Sequence, residues 1–160
     1  MKKGIMYLLS GVAGAAAAGI TVGEKEKKKT ARQKELADKH LLIMKDMNQW
    51  LILKQKGITL KPYFDKHGYK KVAIYGMSFL GERLLDDLKA IGIEVAYGVD
   101  KNALNIYSEI DVITPDETME PVDAVVVTSS YYFETIEEEL EEKVDWDIVS
   151  LEDILYESEE

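Results

Sequence analysis

A chain of 160 residues has room for one domain and an appendage, and falls short of what a two-domain dehydrogenase or epimerase needs. It contains no cysteine and only two histidines, His40 and His67, far apart and each beside a lysine. Disulfides, thiolate metal sites and cysteine nucleophiles are excluded, and no ligand pair stands at metal spacing, so no metal is expected.

The net charge of −10 is divided unevenly: residues 1–71 hold 16 Lys+Arg against 6 Asp+Glu, and residues 72–160 hold 4 against 24. A basic half beside an apolar segment suits an anionic lipid surface. The acidic half is repelled by membranes and nucleic acid alike, so no nucleic-acid partner is expected.

In chain order, Gly4 to Gly23 comes first, twenty residues without a charge and about long enough to cross a hydrocarbon core. Lys25, Lys27, Lys28, Lys29, Arg32 and Lys34 follow it, outnumbering Lys2, Lys3 and the terminal amine ahead. The positive-inside rule then predicts a membrane anchor over 1–23 with the C-terminal domain cytoplasmic. The alternative is a signal peptide ending in the alanine run at Ala18, followed by export. Gly11, Ala15 and Gly19 recur at four-residue spacing, which would let two such helices approach closely and form a homo-oligomer.

Glu24 to Lys34 has no apolar face and reads as a solvated helical extension or a lipid-headgroup contact. From Lys34 to Lys54, Leu36, His40, Ile43, Met47, Trp50 and Lys54 alternate in steps of three and four, with Leu41, Met44 and Leu51 widening the stripe. This predicts an amphipathic helix that docks on the domain or on a second copy of itself. Gly57 breaks it, and Pro62, Tyr63 and Phe64 begin a short helix ended by His67-Gly68.

Lys70 to Gly76 is a β-branched, apolar run ending in glycine, and Met77 to Ile91 reads as a helix with Leu80, Leu84, Leu88 and Ile91 inward. Strand, tight turn and helix in this order form a phosphate-binding arrangement, with Gly76 turning the chain and Gly81 packing the helix close to the sheet. The motif, Gly76-Met77-Ser78-Phe79-Leu80-Gly81, has Ser78 where a dinucleotide fingerprint has its middle glycine. It is not a P-loop, because Glu82-Arg83 follows Gly81 in place of Lys and Ser or Thr.

A second strand, Glu94 to Val99, ends at Asp100 and Lys101, where the fold places an acid that accepts from a ribose hydroxyl. Ile110 to Ile113 reads as a short strand before the turn Thr114–Glu117, and Val122 to Thr128 as a central strand. Thr128, Ser129, Ser130, Tyr131 and Tyr132 at its carboxyl end face the crevice of Gly76. A helix with Ile136, Leu140 and Val144 inward, a strand from Trp146 to Ser150 and a short helix opened by Ser150 complete the pattern.

A reductase or epimerase of this type needs a tyrosine four residues before a lysine; Tyr131, Tyr132, Tyr63 and Tyr69 are followed at that distance by Thr135, Ile136, His67 and Ala73. The glutamates of 137–142 read as a solvated face, so the chain is not expected to be an enzyme.

Trp50 through Leu155, with KPYFDKHGYKKVAIYG, GERL, VDAVVVT and IVSLEDIL, resembles the Rossmann-like accessory domain of bacterial surface-polysaccharide proteins, similar to the NAD(P)-binding domains of nucleoside-diphosphate-sugar epimerases. The resemblance maps Gly76, Ser78 and Gly81 onto the phosphate turn, transfers no catalytic residue, and implies a role beside cell-envelope glycan assembly.

The expectation is an α/β fold, a small Rossmann-like parallel sheet with flanking helices, preceded by a transmembrane helix and an amphipathic helix. Its boundaries fall at 1–23 for the anchor, 24–68 for the basic linker and helices, and 69–160 for the nucleotide-binding domain. It would be a non-catalytic module for NAD(P) or a nucleotide-sugar, or alternatively a scaffold whose Rossmann unit holds no ligand.

Overall fold

The computed structural model describes the backbone of residues 2–159 and the side chains of residues 24–159. The chain divides into a unit of Met1–His40 and a compact unit of Leu41–Glu160. Helix α1 (Lys2–Lys56) contributes to both. In the first unit its residues 24–38 are exposed, as 24–34 should be without an apolar face, and Leu36 of the expected stripe is exposed with them. The expected anchor at 4–23 lies outside the residues whose side chains are described. Among the described residues, no helix is long and apolar enough to cross a membrane.

In the compact unit α1 ends at Gly57, whose φ of 70° is a left-handed stop. Helix α2 (Lys61–His67) starts with a proline in its first turn and stops at Gly68, also left-handed, whose amide returns to the Asp65 carbonyl. Strand β1 (Lys71–Tyr75), helix α3 (Phe79–Ala90) and strand β2 (Glu94–Val99) then form one β-α-β unit with its two strands parallel and adjacent. After a 3-10 turn at Ala103–Asn105 come β3 (Val112–Ile113), β4 (Ala124–Val127), α4 (Phe133–Glu141), β5 (Asp147–Ser150) and α5 (Leu151–Glu157).

The five strands are parallel in the order β3-β2-β1-β4-β5. All four residues of β4 and four of the five in β1 are buried, because helices cover both faces of the sheet. Val72, Ile74, Ala124 and Val126 meet α1, α2, α3 and α5 through Trp50, Leu53, Phe64, Leu84 and Ile154. Ala73, Tyr75, Val125 and Val127 meet α4 through Ile136 and Leu140. The architecture is a Rossmann-like α/β unit.

Glu24–Lys34 does run into the amphipathic stretch as one helix, the helical extension expected of it. Several boundaries differ from the sequence reading. The strand expected over 110–113 shrinks to two residues, since this edge pairs only with Gly98 and Val99 of β2. Met77 and Ser78 belong to the turn, with Ser78 as the extended residue before α3. The Ser150 hydroxyl does open α5, accepting from the Glu152 amide at 3.1 Å. At the amino edge, the Asp123 carboxylate accepts from the Lys70 and Lys71 amides at 2.8 Å, which lowers its pKa.

Candidate functional site

The order in which strands are added across the sheet reverses between β1 and β4: α3 carries the chain from β1 to β2 on one face, while α4 carries it from β4 to β5 on the other. The crevice at the carboxyl ends of these two strands is where an open α/β sheet takes a ligand. Gly76 lies there with φ of 95°, and its amide donates to the Val99 carbonyl at 2.8 Å. A β-carbon on Gly76 would stand 2.6 Å from the Thr128 hydroxyl. That hydroxyl donates to the Gly76 carbonyl at 2.6 Å, with the Tyr75 carbonyl at 3.2 Å. Thr128 is therefore occupied in building the turn. It ties the carboxyl end of β4 to that of β1.

Gly81 performs the close packing its place in the motif predicts: a β-carbon there would sit 2.3 Å from the Gly76 carbonyl oxygen. Met77 turns its side chain inward, almost fully buried, where it fills the space left by Gly98. Leu80 is buried in the same core. Ser78 and Phe79 remain exposed, Phe79 at 82%. No side chain caps α3, so its first-turn amides lack the usual hydroxyl or carboxylate partner from the cap residue.

Asp100 joins this turn. One carboxylate oxygen accepts from the Met77 amide at 2.9 Å, and the other from the Asn102 amide at 2.8 Å. The acid at the end of β2 and the glycine turn after β1 thus form one contiguous site. Lys101 points elsewhere, to Glu139 on α4 at 3.6 Å. Ser129 and Tyr131 are half-buried, and the Tyr131 and Tyr132 rings meet edge to face at 4.9 Å.

Tyr75 is the tyrosine nearest the turn in sequence, and it lies on the α4 face of the sheet. Burial, with Glu139, Asp100 and Asp116 nearby, pushes its pKa up to about 12. Its phenol stays protonated at neutral pH and is no ready proton acceptor.

One residue passed unnoticed in the sequence. Asp46 on α1 is fully buried, and one carboxylate oxygen accepts from the Ser130 hydroxyl at 2.7 Å. Its other oxygen has no hydrogen-bond partner among the described residues. The signal was present in the helical period, because Asp46 shares its face with Gln49, Trp50 and Leu53, all buried. Beside Ser130 lies a polar cavity of about 360 Å³, lined by Leu42, Tyr131, Thr135, Ser150 and Glu152 among others.

Burial raises the Asp46 pKa above 3.8, opposed by the Ser130 bond and assisted by Glu152. The folded protein therefore holds this proton more tightly than the unfolded chain. Its stabilising contribution is present below 3.8 and is lost as pH rises through the raised value. Asp46→Asn, which removes the charge and keeps an acceptor for Ser130, is expected to be more stable than the parent by about 1 kcal/mol at pH 8. The advantage should shrink toward pH 4 in denaturant titrations; an advantage independent of pH would refute the assignment.

Fold and site together define the class: a small Rossmann-like unit with a glycine turn and an acid at the end of its second strand. No family model, curated protein or solved structure matches the chain.

Proposed function

We propose that the chain is a non-catalytic binding module for a ribose-bearing, phosphorylated ligand such as NAD(P) or a nucleotide-sugar. Asp100 would accept from the ribose hydroxyls, and the amides of Ser78, Phe79 and Leu80 would hold phosphate at the start of α3. The observation that carries this reading is the hydrogen bond from the Met77 amide to Asp100, which unites ribose acceptor and phosphate turn at the switch point. The space reserved by Gly76 and Gly81 supports it further. The one Tyr-x-x-x-Lys spacing in the sequence, Tyr97 and Lys101, is turned to other partners, the Tyr97 hydroxyl donating to the Glu120 carbonyl at 2.7 Å and Lys101 reaching Glu139 at 3.6 Å, which with the high pKa of Tyr75 supports binding without turnover. The resemblance over residues 50–155 points to cell-envelope polysaccharide assembly, and the uncharged stretch 4–23 to a membrane anchor with the domain cytoplasmic.

A second reading, an assembly scaffold without ligand, is favoured by the Asp100 carboxylate, since both of its oxygens already accept from backbone amides, of Met77 and Asn102, where ribose hydroxyls would have to bind. Thermal unfolding of the full chain with NAD, NADP, UDP-glucose or coenzyme A separates the two. A concentration-dependent rise in Tm with one of these, weakened at least tenfold in apparent affinity by Asp100→Asn, is expected for the binding module. No rise at millimolar concentration of any of them would leave the scaffold.

A further inference from the structure

The two units use their basic side chains differently. In the compact unit Lys54, Lys56, Lys61, Lys66, Lys89 and Lys101 are each paired with a carboxylate. In the first unit Lys25, Lys28, Lys29 and Arg32 of α1 are exposed, and none of the four has an ion-pair partner among the described residues.

The helix gathers these four charges. At 3.6 residues to the turn they stand within an arc of about 100° on one side of α1. Glu24, Glu26, Glu35 and Asp38 fall outside that arc, and Lys27 and Lys34 lie on the opposite side. Leu36, 46% exposed, falls inside it. A segment without an apolar face thus has a basic one.

We propose that this stripe contacts the headgroups of an anionic bilayer. Ammonium and guanidinium groups donate to phosphodiester oxygens in charge-assisted bonds, and each Lys or Arg near such a surface strengthens binding about fivefold. The choice of a bilayer over nucleic acid follows from what adjoins the stripe. The same helix continues upstream through Gly4 to Gly23, twenty residues without a charge, so the stripe begins two residues beyond a segment suited to hydrocarbon. Nucleic acid has no place for that segment, and it would repel residues 72–160 with their 4 Lys+Arg against 24 Asp+Glu. The inference rests on the membrane reading of residues 4–23 and not on a bound nucleotide.

Because the chain has no cysteine, one introduced thiol reports a single position. The full chain carrying Leu36→Cys, on the stripe, or Lys34→Cys, opposite it, is labelled with a fluorophore. It is mixed with vesicles of phosphatidylcholine alone or with one third phosphatidylglycerol, both doped with a lipid whose headgroup carries a quencher. With phosphatidylglycerol present, quenching at Leu36→Cys is expected to exceed that at Lys34→Cys at least threefold. The excess should vanish in phosphatidylcholine alone, in high salt, and when Lys28→Gln and Arg32→Gln are added. Lys27→Gln with Lys34→Gln, the same loss of charge on the opposite side, should leave quenching at Leu36→Cys nearly unchanged. Flotation of the same samples reports the membrane reading separately. A chain that floats with both lipid mixtures while the two positions quench alike, or loses quenching equally with either glutamine pair, keeps its anchor and overturns the stripe. A chain that floats with neither mixture overturns both readings, and preference for a short DNA duplex over the anionic vesicles would overturn the choice of partner.

Discussion

Gly81→Ala is expected to destabilise the compact unit by about 3 kcal/mol, a cost at the upper end for an overpacked site. The added carbon would stand 2.3 Å from the Gly76 carbonyl oxygen and 3.1 Å from its carbon. Both are backbone atoms of a turn pinned by Thr128 and by the Val99 carbonyl, so neither can swing aside as a side chain would. The helix must lift from the sheet or the turn must deform. For a unit of this size the loss corresponds to a fall in Tm of about 10 °C. Gly98→Ala makes the informative comparison. Its β-carbon would meet Met77 Cγ at 2.6 Å and Sδ at 2.9 Å, atoms of a buried side chain that can change rotamer where backbone cannot, and it should cost about 2 kcal/mol. Equal losses from the two would show that α3 does not approach the turn so closely.

Phe64→Ala should cost more, about 4 kcal/mol, the range for removing a fully enclosed aromatic ring. Phe64 has no exposed surface and packs edge to face with Tyr63 and Tyr69, at centroid separations of 5.6 and 6.4 Å. Total stabilities of single domains run from about 5 to 15 kcal/mol, so this one substitution should leave a noticeable unfolded fraction near 37 °C. Leu104→Ala, on a side chain 96% exposed, should change stability by about 0.5 kcal/mol or less. Urea midpoints of the two variants test whether α2 is integral to the core. Similar midpoints would mean that the sheet and α3 hold together without it.

Much of this architecture was legible in the residues. The runs at 71–75 and 124–127 announce buried parallel strands because both faces are covered, so nearly every position must be apolar. Gly76, Gly81 and Asp100 stand out because a positive φ, a close helix approach and a carboxylate at a strand end each demand a particular residue type. Helix ends at Gly57 and Gly68 follow from the same left-handed preference.

Other features depend on pairs of residues distant along the chain. Thr128 looked like a hydroxyl open to ligand, yet it closes the turn of a strand fifty residues earlier. Ser130 looked equally open and instead donates to Asp46, which seemed one more polar position on a basic helix. Residues 24–68 read as a basic linker and helices that dock on the domain or on a second copy; Trp50, Leu53, Tyr63 and Phe64 of that segment lie in the domain's core.

By itself, then, the sequence determined the α/β class, the glycine turn, the acid after β2 and the divided charge, because each is written in local period or local backbone geometry. The tertiary structure alone decided the strand order, which face of α1 is buried, and that Asp100 bonds back to the turn. These are long-range pairings, and a chain's local preferences do not encode which distant surface will exclude water from a given face.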